Sequence, residues 1–444
     1  MKKVLSLLLT LSILLGVCSM LSVSAADAGI KVGFGRHDFT PDYEVPLAGL
    51  TNSRNGSWPL TPEDRLLSTV VAIADGSGST VLICTSDMTR INNDWIPELR
   101  AAMSKASGVP ENSIHISATH THSSVSAIGV CAKGTQFYND YVAGFAKAAK
   151  EAVDDLSSVT VKVGSVDVPY LNNVRHYWRQ NGHINGNNFV TSVGAGAWGY
   201  SVIEADREVQ IIRFVREGKK DVLMLNWQAH PTTASCLTDY GTANKYSISA
   251  DFIAYCRNYL EAKDGDCLVA YYSGASGNVA PYHQSATIRE LEQENCPNDT
   301  TLHGARLAQY IMPALQNLKT IDVSGSVQSM QMIHKAIDGS GAAIVEYELN
   351  AVGVGKSIGF VTAQYEMVTE HGMYIKENSP FEITFVLYLC NGRGGYIPSL
   401  FVYDYPALIE GNPIAYEATI CQVIKGTGED FAQSMVNMLN VLYK

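Results

Sequence analysis

Strand-like and helix-like segments alternate along most of this chain, and that alternation restricts the fold more than any other feature. Residues 68–86 predict a β-hairpin, because two β-branched apolar runs flank a Gly/Ser turn. Further strands are predicted at 113–118, 158–168, 208–215, 221–228, 267–272, 322–334, 344–350, 356–361 and 383–390. Helices are predicted at 94–107, 138–156, 250–262, 302–318, 365–377 and 428–442. The pattern indicates an α/β fold, and no linker-like segment divides residues 26–444, so we expect one domain.

One segment, residues 170–204, departs from this alternation. It is rich in Gly, Asn and aromatic residues and has no clear period. A loop of this length inside a compact domain is usually functional or disordered. Its aromatic residues, among them Tyr177 and Trp198, argue against disorder. We therefore expect an ordered cover over a site.

The first 25 residues have the pattern of a secretory signal peptide. Lys2 and Lys3 precede an apolar run that ends near Leu21, and small residues lead up to Ala25. A membrane anchor is the alternative, but Ser, Thr and Gly interrupt the apolar run. Cleavage after Ala25 predicts a secreted, extracellular protein.

Charge and cysteine content exclude two classes of function. The formal net charge is −11, and loss of Lys2 and Lys3 with the signal peptide makes it more negative, so nucleic acid is not an expected partner. The nine cysteines include no CxxC pair, which excludes a zinc ribbon. Cys84, Cys256 and Cys267 lie in apolar segments, and we predict buried free thiols there.

Two histidines follow the strand predicted at 113–118, within Thr119-His120-Thr121-His122-Ser123. If the extended conformation continues, alternate side chains share a face, and both imidazoles prolong the buried face of the strand. Imidazoles placed in this way bind a metal such as zinc or relay protons. Hydrogen-bonded structural histidines are the alternative.

Three further residues are candidates with structural alternatives of their own. His230 ends the apolar run at 221–228 and is followed by Pro231, so two strand ends that carry histidines can converge on one pocket. Glu366 is predicted in the first turn of helix 365–377, where a carboxylate stabilises the helix dipole. Tyr396 is predicted in a turn after strand 383–390.

The order and wording of the motifs resemble the N-terminal catalytic domain of the neutral, non-lysosomal ceramidases. The motifs are VGFGRHDFTPDYEVPLAGL, ISATHTHSS, EADREVQIIRF, NWQAHPTT, SISADF, SGASGNVAP, IKENSPF, NGRGGYIPS and Ala415-Tyr416-Glu417. The resemblance covers nearly all of residues 26–444. It implies a single zinc hydrolase domain of mixed β-sheets flanked by helices.

The resemblance also implies the chemistry of the site. It implies one Zn²⁺ ion held by two imidazoles, a carboxylate and a phenol, namely those of His120, His230, Glu366 and Tyr396. His122 would then lie beside the substrate, where His122 or Tyr396 takes part in catalysis. Arg175 and Tyr416 would bind the polar head of the substrate. The implied reaction is attack by zinc-activated water on the amide of ceramide or a related N-acyl lipid, with transient contact with a membrane surface.

Four positions depart from the ceramidase pattern. Ala280 stands where the family has a serine implicated in catalysis, and Asn278 stands where it has an aspartate. Gln364-Tyr365 replaces the usual Pro-Gly before Glu366. Without a hydroxyl at position 280 a serine nucleophile is not available there, whereas the zinc-water route remains. The alternatives are a zinc esterase or amidase acting on a cell-wall or sugar-derived substrate, and a non-catalytic ligand-binding relative.

Overall fold

A computed structural model describes residues 29–49, 54–179, 184–185, 197–234, 246–281, 300–404 and 415–444. The signal peptide predicted at residues 1–25 lies outside these ranges. Within them, no helix is both long enough and apolar enough to cross a membrane.

The helices, in chain order, are α1 (Ile96–Ser107), α2 (Gln136–Asp154), α3 (Phe252–Asp264), α4 (Thr300–Ala314), α5 (Thr369–Asn378), α6 (Tyr416–Thr419) and α7 (Thr427–Leu442).

The strands, in chain order, are β1 (Lys31–Asp38), β2 (Val45–Leu47), β3 (Arg54–Pro59), β4 (Leu67–Ala74), β5 (Thr80–Ser86), β6 (Ile114–Ala118), β7 (Ser157–Asp167), β8 (Asn173–Val174), β9 (Tyr177–Arg179), β10 (Ile184–Asn185), β11 (Ala197–Ser201), β12 (Glu208–Arg216), β13 (Asp221–Trp227), β14 (Tyr246–Ile248), β15 (Cys267–Ser273), β16 (Val279–Ala280), β17 (Lys319–Ile321), β18 (Val327–Ile337), β19 (Ile344–Val354), β20 (Ile358–Ala363), β21 (Glu366–Met367), β22 (Ile383–Leu387) and β23 (Tyr396–Ile397).

Two mixed sheets form the centre of the molecule. The larger has the order β15-β13-β12-β7-β1-β4-β5-β6, with β17 paired to β7. Its two halves join at β1 and β7 through only two residue pairs, Lys31 with Ser158 and Val32 with Ser157. The smaller sheet has the order β18-β19-β20-β22. The pairs β5–β6, β13–β15 and β20–β22 are parallel, and a helix connects the two strands of each pair. The predicted α/β class is confirmed.

Both halves of the large sheet and the small sheet contribute side chains to one apolar core. Phe214 of the large sheet and Phe360 and Phe385 of the small sheet are fully buried in it. Helices α1 and α2 cover the outer face of the β1-β4-β5-β6 half, α3 and α4 cover the other half, and α5 and α7 cover the small sheet. Because strands such as β13 are buried on both faces, their sequences are continuous apolar runs rather than alternating ones.

A buried amide joins the large sheet to the small one. Asn226 of β13 donates from Nδ2 to the carbonyl oxygens of Tyr272, at 3.0 Å, and Val386, at 3.1 Å. Its Oδ1 accepts from the backbone N–H of Val386 at 3.1 Å. The side chain is therefore satisfied on both sides and fixes β22 of the small sheet against β13 and β15 of the large one.

Most predicted elements are present within a few residues of their expected limits, and two local expectations are wrong. Glu366 is not in a helix, since it forms the short strand β21 and helix α5 begins only at Thr369. The extended conformation does not continue from β6 to His122, because His120 has a left-handed φ of 70°. Cys84, Cys256 and Cys267 are buried free thiols, as predicted. Only parts of segment 170–204 lie in the described ranges, so its role as a cover stays a prediction.

Replacing Asn226 with Ala should lower the free energy of unfolding by about 3 kcal/mol, because the backbone groups of Val386 lose their partners inside the core. Urea denaturation followed by circular dichroism measures this loss. A change below about 0.5 kcal/mol would show that the amide does not hold the sheets together.

Candidate metal centre

His120 lies in the loop after β6 and is held by backbone groups on two sides. Its backbone N–H donates to the carbonyl of Met88 at 2.9 Å. Its Nδ1 lies 2.6 Å from the carbonyl oxygen of Thr89, which can only accept, so Nδ1 carries the proton. The lone pair is therefore on Nε2. The left-handed backbone turns this ring out of the line of the strand and toward His230.

His230 follows β13 and has the same arrangement. Its Nδ1 donates to the carbonyl oxygen of Ser276 at 2.7 Å, which again leaves the lone pair on Nε2. The carbonyl of the next residue, Pro231, accepts the backbone N–H of His122 at 3.0 Å. The loops after β6 and β13 are thus joined beside the imidazoles.

Five side chains converge on one point. The nitrogen ligand atoms of His120, His122 and His230 lie within 4.8 Å of one another. The Nε2 atoms of His120 and His122 are 3.2 Å apart. Glu366 Oε2 lies 3.3 Å from His120 Nε2 and 3.6 Å from His230 Nε2. The hydroxyl of Tyr396 lies 3.2 Å from His230 Nε2.

Glu366 and Tyr396 are neighbours because β21 and β23 pair in parallel, with Glu366 opposite Tyr396. The backbone N–H of Glu366 donates to the carbonyl of Gly395 at 2.8 Å. These two residues, 30 positions apart, therefore arrive at the centre as one unit. Sequence periodicity does not reveal a bridge of only two residues per strand.

The donor set fits a cation. The Nε2 lone pairs of His120 and His230 both face the buried Glu366 Oε2, which has no hydrogen-bond partner among the described residues. Lone pairs that face a carboxylate oxygen at such distances repel one another unless a positive charge lies between them. Two imidazoles, a carboxylate and a phenol suit zinc, and the Nδ1 hydrogen bonds supply the outer support typical of metal-bound histidines.

The electrostatics of the centre favour neutral imidazoles and an ionised carboxylate. Burial lowers the pKa of His230 to about 4 and that of His122 well below its ordinary value. Burial raises the pKa of Glu366, but the imidazoles of His120 and His230 outweigh this effect and hold it well below its usual range. Burial and the carboxylate of Glu366 raise the pKa of the Tyr396 phenol. Neutral imidazoles are the form that binds metals.

Arg175 is buried beside the centre, with its guanidinium directed at protein acceptors. It donates to Glu417 Oε1 at 2.8 Å and to the carbonyl of Gly277 at 2.5 Å. It also lies over the rings of Tyr396 and Tyr416, 5.6 and 5.7 Å from their centroids. Arg175 thus supports the ring of Tyr396 by packing over its face. Direct binding of the substrate head by Arg175 and Tyr416 stays a prediction.

The structure gives a reason for asparagine at position 278. Asn278 Nδ2 donates to Glu370 Oε2 at 2.8 Å, and its Oδ1 accepts the backbone N–H of Thr369 at 2.9 Å at the start of α5. An aspartate there would place a second carboxylate against Glu370. Asn278 thus ties the loop that holds His230 to the segment that follows Glu366.

Neither of two nearby serines, Ser273 and Ser276, takes over the position of the missing hydroxyl at Ala280. The hydroxyls of Ser273 and Ser276 donate to the carbonyls of Thr119, at 2.8 Å, and Gly274, at 3.0 Å. Both hydroxyls are therefore engaged in supporting the loops around the centre.

His122 is held in place by a second layer of contacts. The hydroxyl of Thr121 donates to the carbonyl of Ser249 at 2.8 Å, and the N–H of Ser249 donates to the carbonyl of Ser123 at 2.9 Å. The hydroxyl of Ser249 donates to the buried carboxylate of Asp64. Asp64 therefore orients Ser249, whose backbone binds Thr121 and Ser123, the two neighbours of His122.

Gly49 packs directly against the same histidine. It has φ of +109°, and a Cβ added to it would lie 2.6 Å from His122 Cα. A side chain at this position would displace His122, which explains the glycine two residues after β2.

Sequence reasoning missed several supporting residues. Glu417 was part of a recognised motif without a role, and Asp64, Glu370 and the carbonyl of Thr89 carried no signal. Their contacts span from 31 residues, for Thr89 and His120, to 242 residues, for Arg175 and Glu417. The only signal was indirect, since Glu417 stands next to Tyr416 in the motif.

The fold corresponds to that of solved ceramidase structures. The chain is similar to the crystal structure of neutral ceramidase from Pseudomonas aeruginosa, with a TM-score of 0.69, 15% sequence identity and coverage of 94% of this chain and 75% of that one. A structure described as ceramidase complexed with C2 gives the same values. No protein-family model matches the sequence, and no curated protein does. The fold is thus neutral-ceramidase-like, as the resemblance predicted.

Replacing Glu417 with Gln should cost about 3 kcal/mol of stability at pH 7, because Arg175 keeps its buried charge without a counterion. Arg175 and His176 outweigh burial and lower the pKa of Glu417 to about 2. The difference from wild type should therefore shrink as the pH falls from about 4.5 toward 2. Urea titrations across this range measure it. Glu204→Gln, on an exposed carboxylate, is the matched control and should change stability by less than about 0.5 kcal/mol.

Asp64 should give the opposite dependence on pH. Burial raises its pKa from an ordinary 3.8 to about 7, so its contribution to stability is present at low pH and lost as the pH rises toward 7. The stability of Asp64→Asn relative to wild type should therefore improve between pH 4 and pH 7. Thermal unfolding at several pH values measures this difference. A constant difference would contradict the raised pKa.

Proposed function

We propose that this chain is a secreted zinc-dependent hydrolase that cleaves the amide bond of an N-acyl lipid of the ceramide type. The observation that carries the proposal is the convergence of His120, His230, Glu366 and Tyr396, with both imidazole lone pairs directed inward. The neutral-ceramidase-like fold around that point supports the same reaction class. Secretion follows from the signal peptide predicted at residues 1–25.

The residues that would hold the zinc ion are His120, His230, Glu366 and Tyr396. When bound, zinc lowers the pKa of a water molecule to about 7 and polarises the substrate carbonyl. The Nδ1 hydrogen bonds to Thr89 and Ser276 fix the orientation of both rings before any ligand binds. The guanidinium of Arg175, which lies over the ring of Tyr396, fixes the orientation of that ring.

His122 is the proposed proton carrier. Its ring lies 4.8 Å from that of His120, and its Nε2 faces the centre. Because burial lowers its pKa, His122 is neutral at pH 7, and in the tautomer with its proton on Nδ1 it can accept a proton at Nε2 when water attacks. It can then return that proton to the departing amine nitrogen. Such a role contributes a factor of about 100 or more to the rate.

A covalent serine route is not supported by the residues around the centre. Ala280 has no hydroxyl, and the hydroxyls of Ser273 and Ser276 are engaged with carbonyls. Direct attack by water is therefore the proposed route. Besides the zinc ion that the four ligands would hold, this route needs only a proton carrier, the role proposed for His122.

The test is zinc analysis of the mature protein together with hydrolysis of a short-chain fluorescent ceramide. We expect one zinc per chain in wild type, no retained zinc in His120→Asn, and no turnover by that variant. His122→Asn should keep zinc and lose at least about 100-fold in kcat, since only the proton carrier is removed.

Each other result has a definite meaning. Wild type without stoichiometric zinc would refute the whole proposal. Loss of zinc in His122→Asn would make His122 a ligand instead of a proton carrier. Zinc without turnover of any N-acyl substrate would overturn the substrate class and leave the metal centre.

A further inference from the structure

A cavity lies next to the candidate metal centre, and Glu366 forms part of both. It has a volume of about 440 Å³, and Glu366 is part of its lining. Glu366 thus contacts the histidine cluster on one side and this cavity on the other. A substrate whose amide lies at the cluster can extend past Glu366 into the cavity.

Two arginines face this cavity, Arg90 and Arg393. Both side chains are exposed, and neither guanidinium has an ion pair or hydrogen bond to any residue of the described ranges. Burial and the charge of Arg393 lower the pKa of Arg90, so the two positive charges affect one another. Two like charges in one cavity favour an anion between them.

Neither acidic residue of the cavity lining forms an ion pair with these arginines in the described ranges. The carboxylate of Glu346 lies 3.8 Å from the amino group of Lys335, a residue that does not line the cavity. Glu366 attracts Arg90, but its Oε2 is directed at His120 and His230. The remaining polar walls are the amides of Asn93, Gln364 and Gln422, which suit a head group better than an acyl chain.

The cavity is built rigidly onto the segments that carry the centre. Arg90 directly follows Thr89, whose carbonyl accepts the Nδ1 proton of His120. The backbone N–H of Arg393 donates to Asn93 Oδ1 at 2.6 Å. Gln364 Nε2 donates to the carbonyl of Asn391 at 2.6 Å. The backbones of both arginines are therefore tied to the segments that carry the centre.

We infer that the substrate carries an anionic group, a carboxylate, sulfate or phosphate, close to its amide bond, and that Arg90 and Arg393 bind it. This inference rests on the proposed function and narrows it to acidic N-acyl compounds. It distinguishes the chain from a hydrolase whose substrates have only neutral head groups.

The test compares two substrates that differ in one charge, N-lauroylglycine and N-lauroylethanolamine. Wild type should have a kcat/KM at least about tenfold higher for the carboxylate, the effect of one good charged contact. In Arg90→Gln/Arg393→Gln the ratio of the two kcat/KM values should fall to about one. Arg207→Gln, which removes an exposed arginine paired with Asp167, is the matched control and should keep the wild-type ratio.

A second measurement does not depend on turnover. Sulfate is titrated calorimetrically into His120→Asn, which lacks a metal ligand, with and without the two arginine substitutions. Sulfate binding should weaken at least about tenfold when both arginines are removed.

The outcomes separate this inference from the proposed function. Hydrolysis of both substrates at equal rates, without arginine-dependent sulfate binding, would overturn the inference and leave the proposed function. Arginine-dependent sulfate binding with equal rates would assign the cavity to a free anion, which also overturns it. Arginine-dependent sulfate binding without hydrolysis of either compound would refute the N-acyl substrate and support the anion site.

Discussion

The amide of Asn226 joins the two sheets whose loops carry the candidate metal centre, and the position of one group of its side chains relative to the other depends on that junction. The large sheet supplies His120 and His230, and the loops around the small sheet supply Glu366 and Tyr396. These four side chains converge only if the two sheets keep a fixed separation. Two hydrogen bonds between the Asn226 amide and the backbone of Val386 add a directional constraint to the apolar packing between the sheets, and a third, to Tyr272, holds the amide within the large sheet.

Around this junction the centre is ordered mainly by backbone carbonyls. The backbone carbonyls of Thr89 and Ser276 fix the proton positions on two imidazoles, and neither contribution depends on the side chain of the accepting residue. A parallel bridge of two residues brings Glu366 beside Tyr396. The ion pair of Arg175 with Glu417 holds the loop that bears Tyr396. The contact of Asp64 with Ser249 holds the loop that bears His122. The centre is therefore prearranged in the protein itself.

Sequence periodicity was sufficient for the main elements and insufficient for the centre. The hairpin at β4 and β5 and helices such as α2 follow from patterns of about ten residues, which periodicity detects. Glu366 was misplaced into a helix because a two-residue strand leaves no periodic trace. The turn at His120 was missed because a positive φ at a histidine depends on contacts with Met88 and Thr89, more than 30 residues earlier. The ligand set itself came from resemblance, since spacing alone left His122 and His120 equivalent.

The contact between Asn278 and Glu370 has a consequence for how such chains can diverge. The two positions are linked by one hydrogen bond that needs a donor on one side and a carboxylate on the other. An aspartate at 278 is compatible with this geometry only if position 370 loses its charge or gains a proton. Substitutions at these two positions should therefore occur together. This polar contact thus restricts which single substitutions are tolerated beside the candidate metal centre.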